Sequence, residues 1–495
     1  MNVKRLLWVL VSALVICSAN GVASENTALD DYVEKGDPAY GFGQEGTRHK
    51  EGYTVFVIQM RSQSWRSFQE VDRTLWEHEL LIAVPWVTYS GNQNTSLLIV
   101  NGGTNTAEPN EDNDQLLGTL AIATGSVAAM ISQVPNQQLT FSDETESRLE
   151  DELLAYGMDK YLVTGDPEWL IQLPMTKAVV RAMDTVQTFA READFAWPNV
   201  PRINDFIILG GSKRGWATWL AAAVEAQKGE ASRVRGIVPV SIDLLNLGEQ
   251  FTHHWDAYGF YAPAVQDYAD FDLPCRALSP RGEAMLEIID PYAYRDRLTM
   301  PKLILNSAGD QFFLPDSSQF YFDALPLPRQ LRYTFNTDHS QGQDLAAIIP
   351  PTLSWMSDVL DDKQGPRFRW SLEADGTIRV QTFTEPERVR VWQATNPSGR
   401  DFRLEEIGAA WSHKDLPKSA SGLYVVSVPP PLEGWTAFSV ELTFAGSTFM
   451  PTPLETDQVF TTDVVVTPPT LPFTGTACFC SECLPRWSGW RSMLR

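Results

Sequence analysis

The sequence predicts an α/β fold, a mostly parallel sheet flanked by helices, followed by a small all-β sandwich. Between about residues 30 and 365, short apolar runs alternate with helix-like segments, the order that builds a parallel sheet from βαβ units. Several of those runs are continuously β-branched or Leu-rich, as strands covered on both faces are. After about residue 366 the texture changes to short alternating segments separated by turn residues, the signature of packed antiparallel sheets.

The elements follow in order. Residues 1–23 read as a secretory signal: Lys4 and Arg5, an apolar run over 6–16, then small residues around Gly21-Val22-Ala23. The run is too short to span a bilayer, and no later stretch supplies an integral membrane span. Cys17 follows Leu14-Val15-Ile16, a weak lipidation signal because Ile16 is bulky where a small residue is needed. The expected location is therefore secreted or periplasmic. Strands are expected at 53–60, 80–85, 97–100, 206–209, 236–242, 302–306 and 332–336, with helices over 176–191 and 216–227. This places an α/β domain at 30–365. The sandwich domain, 366–467, has expected strands at 377–383, 388–394, 423–428 and 436–444, bounded by turns such as Asp375-Gly376 and Asn396-Pro397-Ser398-Gly399. A tail, 468–495, is Pro-rich and then carries Cys478, Cys480 and Cys483. Three thiols without a fourth ligand nearby make a disulfide the better expectation than zinc, and Cys275 reads as a buried or free thiol.

Composition bounds the function. The 495 residues carry 39 Lys+Arg against 62 Asp+Glu, a net charge of −23, which disfavours a general nucleic-acid binder. A hydrophobic content of 43% excludes wholesale disorder. No cofactor or metal is called for, and the expected partner is a small-molecule or peptide substrate; the oligomeric state is not legible.

One turn carries chemistry. The strand-like Phe206-Ile207-Ile208-Leu209 runs into Gly210-Gly211-Ser212-Lys213-Arg214-Gly215, and a helix follows. A serine at a sharp strand-to-helix turn has its hydroxyl pushed out above the sheet, and the helix N-terminus behind it favours a developing oxyanion. The usual pattern is G-x-S-x-G; here Arg214 stands at the second place after serine and Gly215 at the third. A serine nucleophile needs a base. Of the six histidines, His339 lies just beyond a strand and after the serine, in Thr337-Asp338-His339-Ser340. His253 and His254 sit in an aromatic stretch that reads as a pocket wall, with His254 and Trp255 as candidate substrate contacts. Asp310 follows the strand 302–306 and is the candidate acid that orients the imidazole; Asp243, Asp316 and Asp338 compete less well. The oxyanion donors are expected to be the Lys213 amide and, from the loop Asn101-Gly102-Gly103, the amide of Gly102 or Gly103, with the Asn101 side chain as an alternative.

These residues, with Asn306-Ser307-Ala308-Gly309-Asp310, Asp37-Pro38-Ala39-Tyr40, Val71-Asp72-Arg73 and Leu173-Pro174-Met175-Thr176-Lys177, resemble the PhoPQ-activated pathogenicity-related protein family over about residues 29–467. The resemblance implies an α/β-hydrolase fold with an appended β-rich domain in secreted or periplasmic proteins, and a triad of Ser212, Asp310 and His339. It also implies that Arg214 belongs to the family's own form of the turn. Members are linked to antimicrobial-peptide resistance and dipeptidyl-peptidase-like activity. The expected function is an exported serine hydrolase, peptidase-like, in which Glu150-Asp151-Glu152 offers an anchor for a peptide's free amine. The alternatives are an esterase on carbohydrate or small esters, with Trp216, Trp219, Trp255, Tyr258, Phe260 and Tyr261 as stacking rings, or a secreted signalling protein with a vestigial triad.

Overall fold

The computed structural model describes residues 26–88, 94–106, 111–193, 201–446, 448–449, 454–475 and 478. The expected signal segment 1–23, with Cys17, and the tail cysteines Cys480 and Cys483 lie outside the described residues.

Nine strands form the main sheet: β1 Gly41–Lys50, β2 Tyr53–Ser64, β3 Leu75–Pro85, β4 Thr95–Val100, β5 Val127–Ile131, β6 Asp205–Gly211, β7 Val234–Val240, β8 Lys302–Ser307 and β9 Arg329–Thr334. Their spatial order is β1-β2-β3-β5-β4-β6-β7-β8-β9. The first three pair antiparallel, and everything from β5 to β9 is parallel. Every residue of β4, β5 and β8 is buried, as continuous apolar runs in a sheet covered on both faces require. The helices are α1 Ala28–Glu34, α2 Glu111–Thr124, α3 Glu150–Thr164, α4 Gln172–Ala193, α5 Lys213–Ala226, α6 Leu247–Tyr258, α7 Gln266–Ala269, α8 Leu273–Arg276, α9 Pro280–Ile289 and α10 Leu345–Leu360. One face of the sheet is covered by α1, α4 and α5, the other by α2 and α10.

The chain steps outward from β4 through α2 to β5, then returns past β4 to lay down β6. The strand order therefore reverses between β4 and β6, and the crevice beyond their carboxyl ends is where an open α/β sheet binds its ligand.

Two further sheets follow α10. One is β10 Phe368–Leu372, β11 Ile378–Thr382 and β14 Leu423–Val426; the other is built on β12 Arg388–Asn396, β13 Ser412–Asp415 and β15 Trp435–Phe444, with β18 Gln458–Thr461 and β19 Val465–Thr467, while β16 Thr448–Phe449 and β17 Leu454–Glu455 make a short separate ribbon. All pairings are antiparallel. Ile378, Val380, Tyr424 and Val426 of the first sheet share a core with Val389, Phe438, Val440 and Phe460 of the second, the inner faces of a sandwich. This β region is not detached: it abuts β9, where the Tyr333 amide donates to Thr461 Oγ1 at 3.0 Å, and α10, where Gln458 Nε2 donates to Asp358 at 2.6 Å.

Cys275 corrects the expectation of a free thiol, since it is disulfide-bonded to Cys478, 203 residues away. The bond fastens the tail to α8. Just before it, Phe473 packs over Gly259 and donates its amide to Asp256 O at 3.0 Å. Closing a loop of this length stabilises the fold by about 5 kcal/mol in the chain-entropy account. Reduction with dithiothreitol, or Cys275→Ser, is expected to lower the melting temperature by several degrees; an unchanged melt would show that the tail is not held.

Candidate active site

Ser212 is the single residue between β6 and α5, at φ 53° and ψ −128°, a left-handed conformation that an L side chain adopts only under compulsion. The glycines supply the compulsion. A Cβ at Gly210 would come within 2.5 Å of Arg214 O, and one at Gly215 within 2.7 Å of Ile242 Cγ2 and 2.8 Å of Gly210 O, whereas Gly211 faces open space. The two indispensable glycines thus stand two places before the serine and three after it, which is why Arg214 is admissible at the second place. Gly215→Ala is expected to destabilise the fold by about 1–3 kcal/mol through overpacking, read as a lower denaturation midpoint.

The neighbouring loops are tied to this turn by continuations of the sheet ladder. Ser212 N–H donates to Val240 O, Ser241 N–H to Leu305 O and Ala308 N–H to Thr334 O, each at 2.8 Å. Asp310 follows β8 and His339 follows β9. Here the structure brings the expected pair together: His339 Nδ1 lies 2.8 Å from Asp310 Oδ2 and 3.0 Å from Oδ1. The carboxylate is itself fixed, because Oδ1 accepts the amides of Phe312 at 2.7 Å and Phe313 at 3.3 Å. The His339 amide donates to Gln311 Oε1 at 2.9 Å, and the ring packs, tilted, 4.4 Å from that of Phe312. With its Nδ1 proton given to Asp310, the imidazole keeps its lone pair on Nε2, which is buried and has no hydrogen-bond partner. No hydrogen bond joins Nε2 to Ser212. Burial lowers the histidine's pKa, but the charge and hydrogen bond of Asp310 outweigh it and draw the group above its ordinary value.

The competing carboxylates are engaged elsewhere. Asp243 is buried between the hydroxyls of Tyr321 and Tyr333, and burial pushes its carboxyl up to about 7. Asp316 holds His253 at 2.9 Å and Arg400 at 2.6 Å. Asp338 accepts the Ser340 amide and hydroxyl.

The loop Asn101-Gly102-Gly103 follows β4, and the pairing of Val100 with Gly210 sets it beside the serine turn. Gly102 O accepts the Gln133 amide at 2.8 Å, Gly103 has φ 115°, and the Asn101 side chain turns to Ser132 Oγ at 3.5 Å. On the other side, the Lys213 amide precedes the first helical bond of α5, Trp216 N–H to Ser212 O at 3.0 Å, and so has no intrahelical acceptor.

Sequence reasoning missed an ionic clamp. Arg214 places two nitrogens on Glu150, at 2.8 and 2.6 Å, and Lys213 Nζ lies 2.6 Å from Asp151 and 3.1 Å from Glu150. Burial raises the Glu150 pKa, yet Arg214 and then Lys213 hold it at about 2. The available signal was electrostatic: two nearly buried cations at a helix N-terminus oppose its dipole and demand carboxylates. Glu150 and Asp151 are therefore committed to the serine turn, and only Glu152 of that run is exposed.

His254 is buried, its Nε2 accepting the Ala262 amide at 3.0 Å, and burial lowers its pKa to about 3. Trp255 lies 5.5 Å from Tyr261. The contacts of His254 are with the segment around Tyr258 and Tyr261, which gives it a structural task. Of the proposed stacking rings, Trp216, Trp219 and Tyr258 are core residues and Phe260 is exposed.

The model of the PhoPQ-activated pathogenicity-related protein family matches residues 29–403 of the chain. The chain belongs to that family. The matched span of this PhoPQ-activated pathogenicity-related family member takes in Ser212, Asp310 and His339 and ends inside the β region. Autocrine proliferation repressor protein A of Dictyostelium discoideum is 33% identical over 489 residues, covering 92% of this chain and 93% of its own length. Among solved structures, an acetyl xylan esterase from Paenibacillus sp. R4 is 13% identical with a TM-score of 0.43, over 68% of this chain and 92% of its own. An S-formylglutathione hydrolase from Agrobacterium tumefaciens is 14% identical with a TM-score of 0.39, over 64% and 99%. These two likenesses concern chain path and do not bear on substrate. No described helix of this family member is long and apolar enough to cross a membrane.

Proposed function

We propose that the chain is an exported serine hydrolase that works through an acyl-enzyme. The observation that carries this reading is the Asp310–His339 pair, with Nε2 left as a base, at the same sheet end as a serine held in a left-handed turn. In this scheme His339 Nε2 takes the Ser212 proton as Oγ attacks a carbonyl carbon. The Lys213 amide and that of Gly103 or Gly102 hold the oxyanion. The imidazolium then protonates the leaving group, and water, activated by the same nitrogen, releases the acyl group. Export is supported by the signal-like residues 1–23 and by the disulfide, a bond that persists in oxidising compartments.

For the substrate, the family resemblance favours a peptide cut near its amino end. The commitment of Glu150 and Asp151 to Lys213 and Arg214 removes the expected amine anchor and favours an ester as the second reading. Labelling with a fluorophosphonate, mapped by peptide mass spectrometry, is expected at Ser212. A panel of dipeptidyl amides and p-nitrophenyl esters then separates the two substrates. The absence of both labelling and turnover in the intact protein would refute the enzyme reading and leave a secreted signalling protein.

The pH profile follows from the base. A histidine raised above its usual value of about 6.5 is protonated and inactive over a wider acid range. The acid limb of kcat/KM for a p-nitrophenyl ester is expected above pH ~6.5 for this reason. A limb below that value would mean that Asp310 does not support the base.

A further inference from the structure

The Asp310 and His339 loops are fastened from outside the hydrolase sheet. Between β12 and β13 the chain makes a long excursion, Asn396 to Trp411, which carries the short helix α11 Leu404–Ile407. It touches the loops that carry the acid and the base at three places. The Leu404 amide donates to Gly309 O at 3.0 Å, immediately before Asp310. The Asn336 side chain binds both backbone groups of Trp411, donating to its carbonyl at 3.0 Å and accepting its amide at 2.9 Å, three residues before His339. Arg400 donates to Asp316 Oδ2 at 2.6 Å, six residues beyond Asp310, in a buried cluster that includes His253.

These contacts converge. Asn336 is itself left-handed, at φ 57°, and Phe335 beside it stacks 4.7 Å from Trp392 of β12. At Gly309 the three segments meet: an added Cβ would lie 2.6 Å from Thr337 O and 3.1 Å from Leu404 N. Ser307 Oγ donates to Thr337 O at 2.6 Å and so joins the acid and histidine loops directly. A paired carboxylate and imidazole each held by a loop need a common frame, because a displacement of about 1 Å in such a pair costs up to ~10²-fold in rate.

We propose that the 396–411 excursion of the β region is a positioning element of the active site, with Asn336 and the Leu404 amide setting the distance from Asp310 to His339. The proposal rests on the serine-hydrolase reading for its kinetic consequence but not for its geometry. The β region is then part of the catalytic apparatus and not a separable appendage. The charged groups acting on the His339 ring are Asp310, Lys213 and Asp151, and the excursion acts on the first of these by holding its loop.

Two variants of the full-length chain test it. Leu404→Pro removes one amide donor at the first position of a helix, where proline fits, and Arg403 before it is already extended at φ −57° and ψ 141°. Asn336→Ala removes both bonds to Trp411, and Asn336→Asp keeps the acceptor while losing the donor. Each is compared with wild type by thermal melt, by kcat and KM on a p-nitrophenyl ester, and by the pH dependence of hydrogen exchange at C2 of the His339 ring, read by mass spectrometry. Leu404→Pro and Asn336→Ala are expected to lose ~10-fold or more in kcat with KM within about 2-fold, since positioning is lost and binding is not. In both variants His339 should titrate lower as it loses part of Asp310, while the kcat of Asn336→Asp falls between that of wild type and that of Asn336→Ala. A folded variant with wild-type kcat and wild-type His339 titration overturns the proposal. If the wild type turns over nothing, the serine-hydrolase reading fails, and the His339 titration still decides this one: a lowered value sustains it and an unchanged value ends it.

Discussion

Ser212→Ala is expected to abolish fluorophosphonate labelling and to lower ester or amide turnover by roughly 10⁵-fold, with the fold intact. The size follows from the mechanism, since no second hydroxyl occupies the turn and a water attacking in its place keeps only the help of the oxyanion donors. The substitution is mild for stability. Ser212 makes no side-chain cap bond to α5, and alanine accepts the same left-handed backbone at similar cost because it too carries a Cβ. Purified variant and wild type should therefore melt together. Residual turnover above a few per cent of wild type would assign the activity to a different nucleophile or to a contaminant.

Asp310→Asn is expected to cost about 10⁴-fold in kcat while KM stays near wild type. Asparagine is isosteric, and its carbonyl oxygen can still accept the amides of Phe312 and Phe313, so the turn survives. What changes is the partner of His339. If that oxygen keeps the two amides, the side-chain NH₂ faces Nδ1, and the imidazole must present a lone pair there and carry its proton on Nε2. A ring in that tautomer cannot take the serine proton. The acid limb should move to lower pH as well, because the charge that holds the histidine up is gone. A profile unchanged in height and midpoint would return the acid role to one of the other buried carboxylates, Asp243 foremost.

The strands expected at 97–100, 206–209 and 302–306 fall within β4, β6 and β8 because a strand buried on both faces has little choice but a continuous apolar run. Two strands of the main sheet were not legible, for opposite reasons. β1, Gly41–Lys50, pairs on one side only and is largely polar, so no alternation marks it. β5, Val127–Ile131, continues the apolar run of α2, and only Gly125, at φ 64°, and Ser126 separate helix from strand. The last strand expected in the α/β domain, 332–336, runs as Arg329–Thr334, and it ends earlier because Asn336 turns left-handed to reach Trp411.

In the site, the placement of Ser212, Asp310 and His339 just past β6, β8 and β9 was legible from chain order and strand position, which together set His339 apart from the other five histidines. The clamp of Lys213 and Arg214 on Glu150 and Asp151 was not, because an acidic run at the start of a helix has the same composition whether it is solvated or paired. The excursion 396–411 was equally hidden: Leu404 acts through its backbone, and no side-chain type announces an amide.

The bond between Cys275 and Cys478 makes a covalent ring of everything between them. Asp310, His339 and the whole β region lie inside it, while Ser212 lies outside. A protease that nicks the exposed Pro397-Ser398 turn would leave two pieces still linked, running as one band on a gel until a reductant is added. A cut at the exposed 228–231 segment releases the amino-terminal half with its serine in the same gel without reductant. The chain is thus insured against clipping on the side that carries Asp310 and His339, and unprotected on the side that carries Ser212.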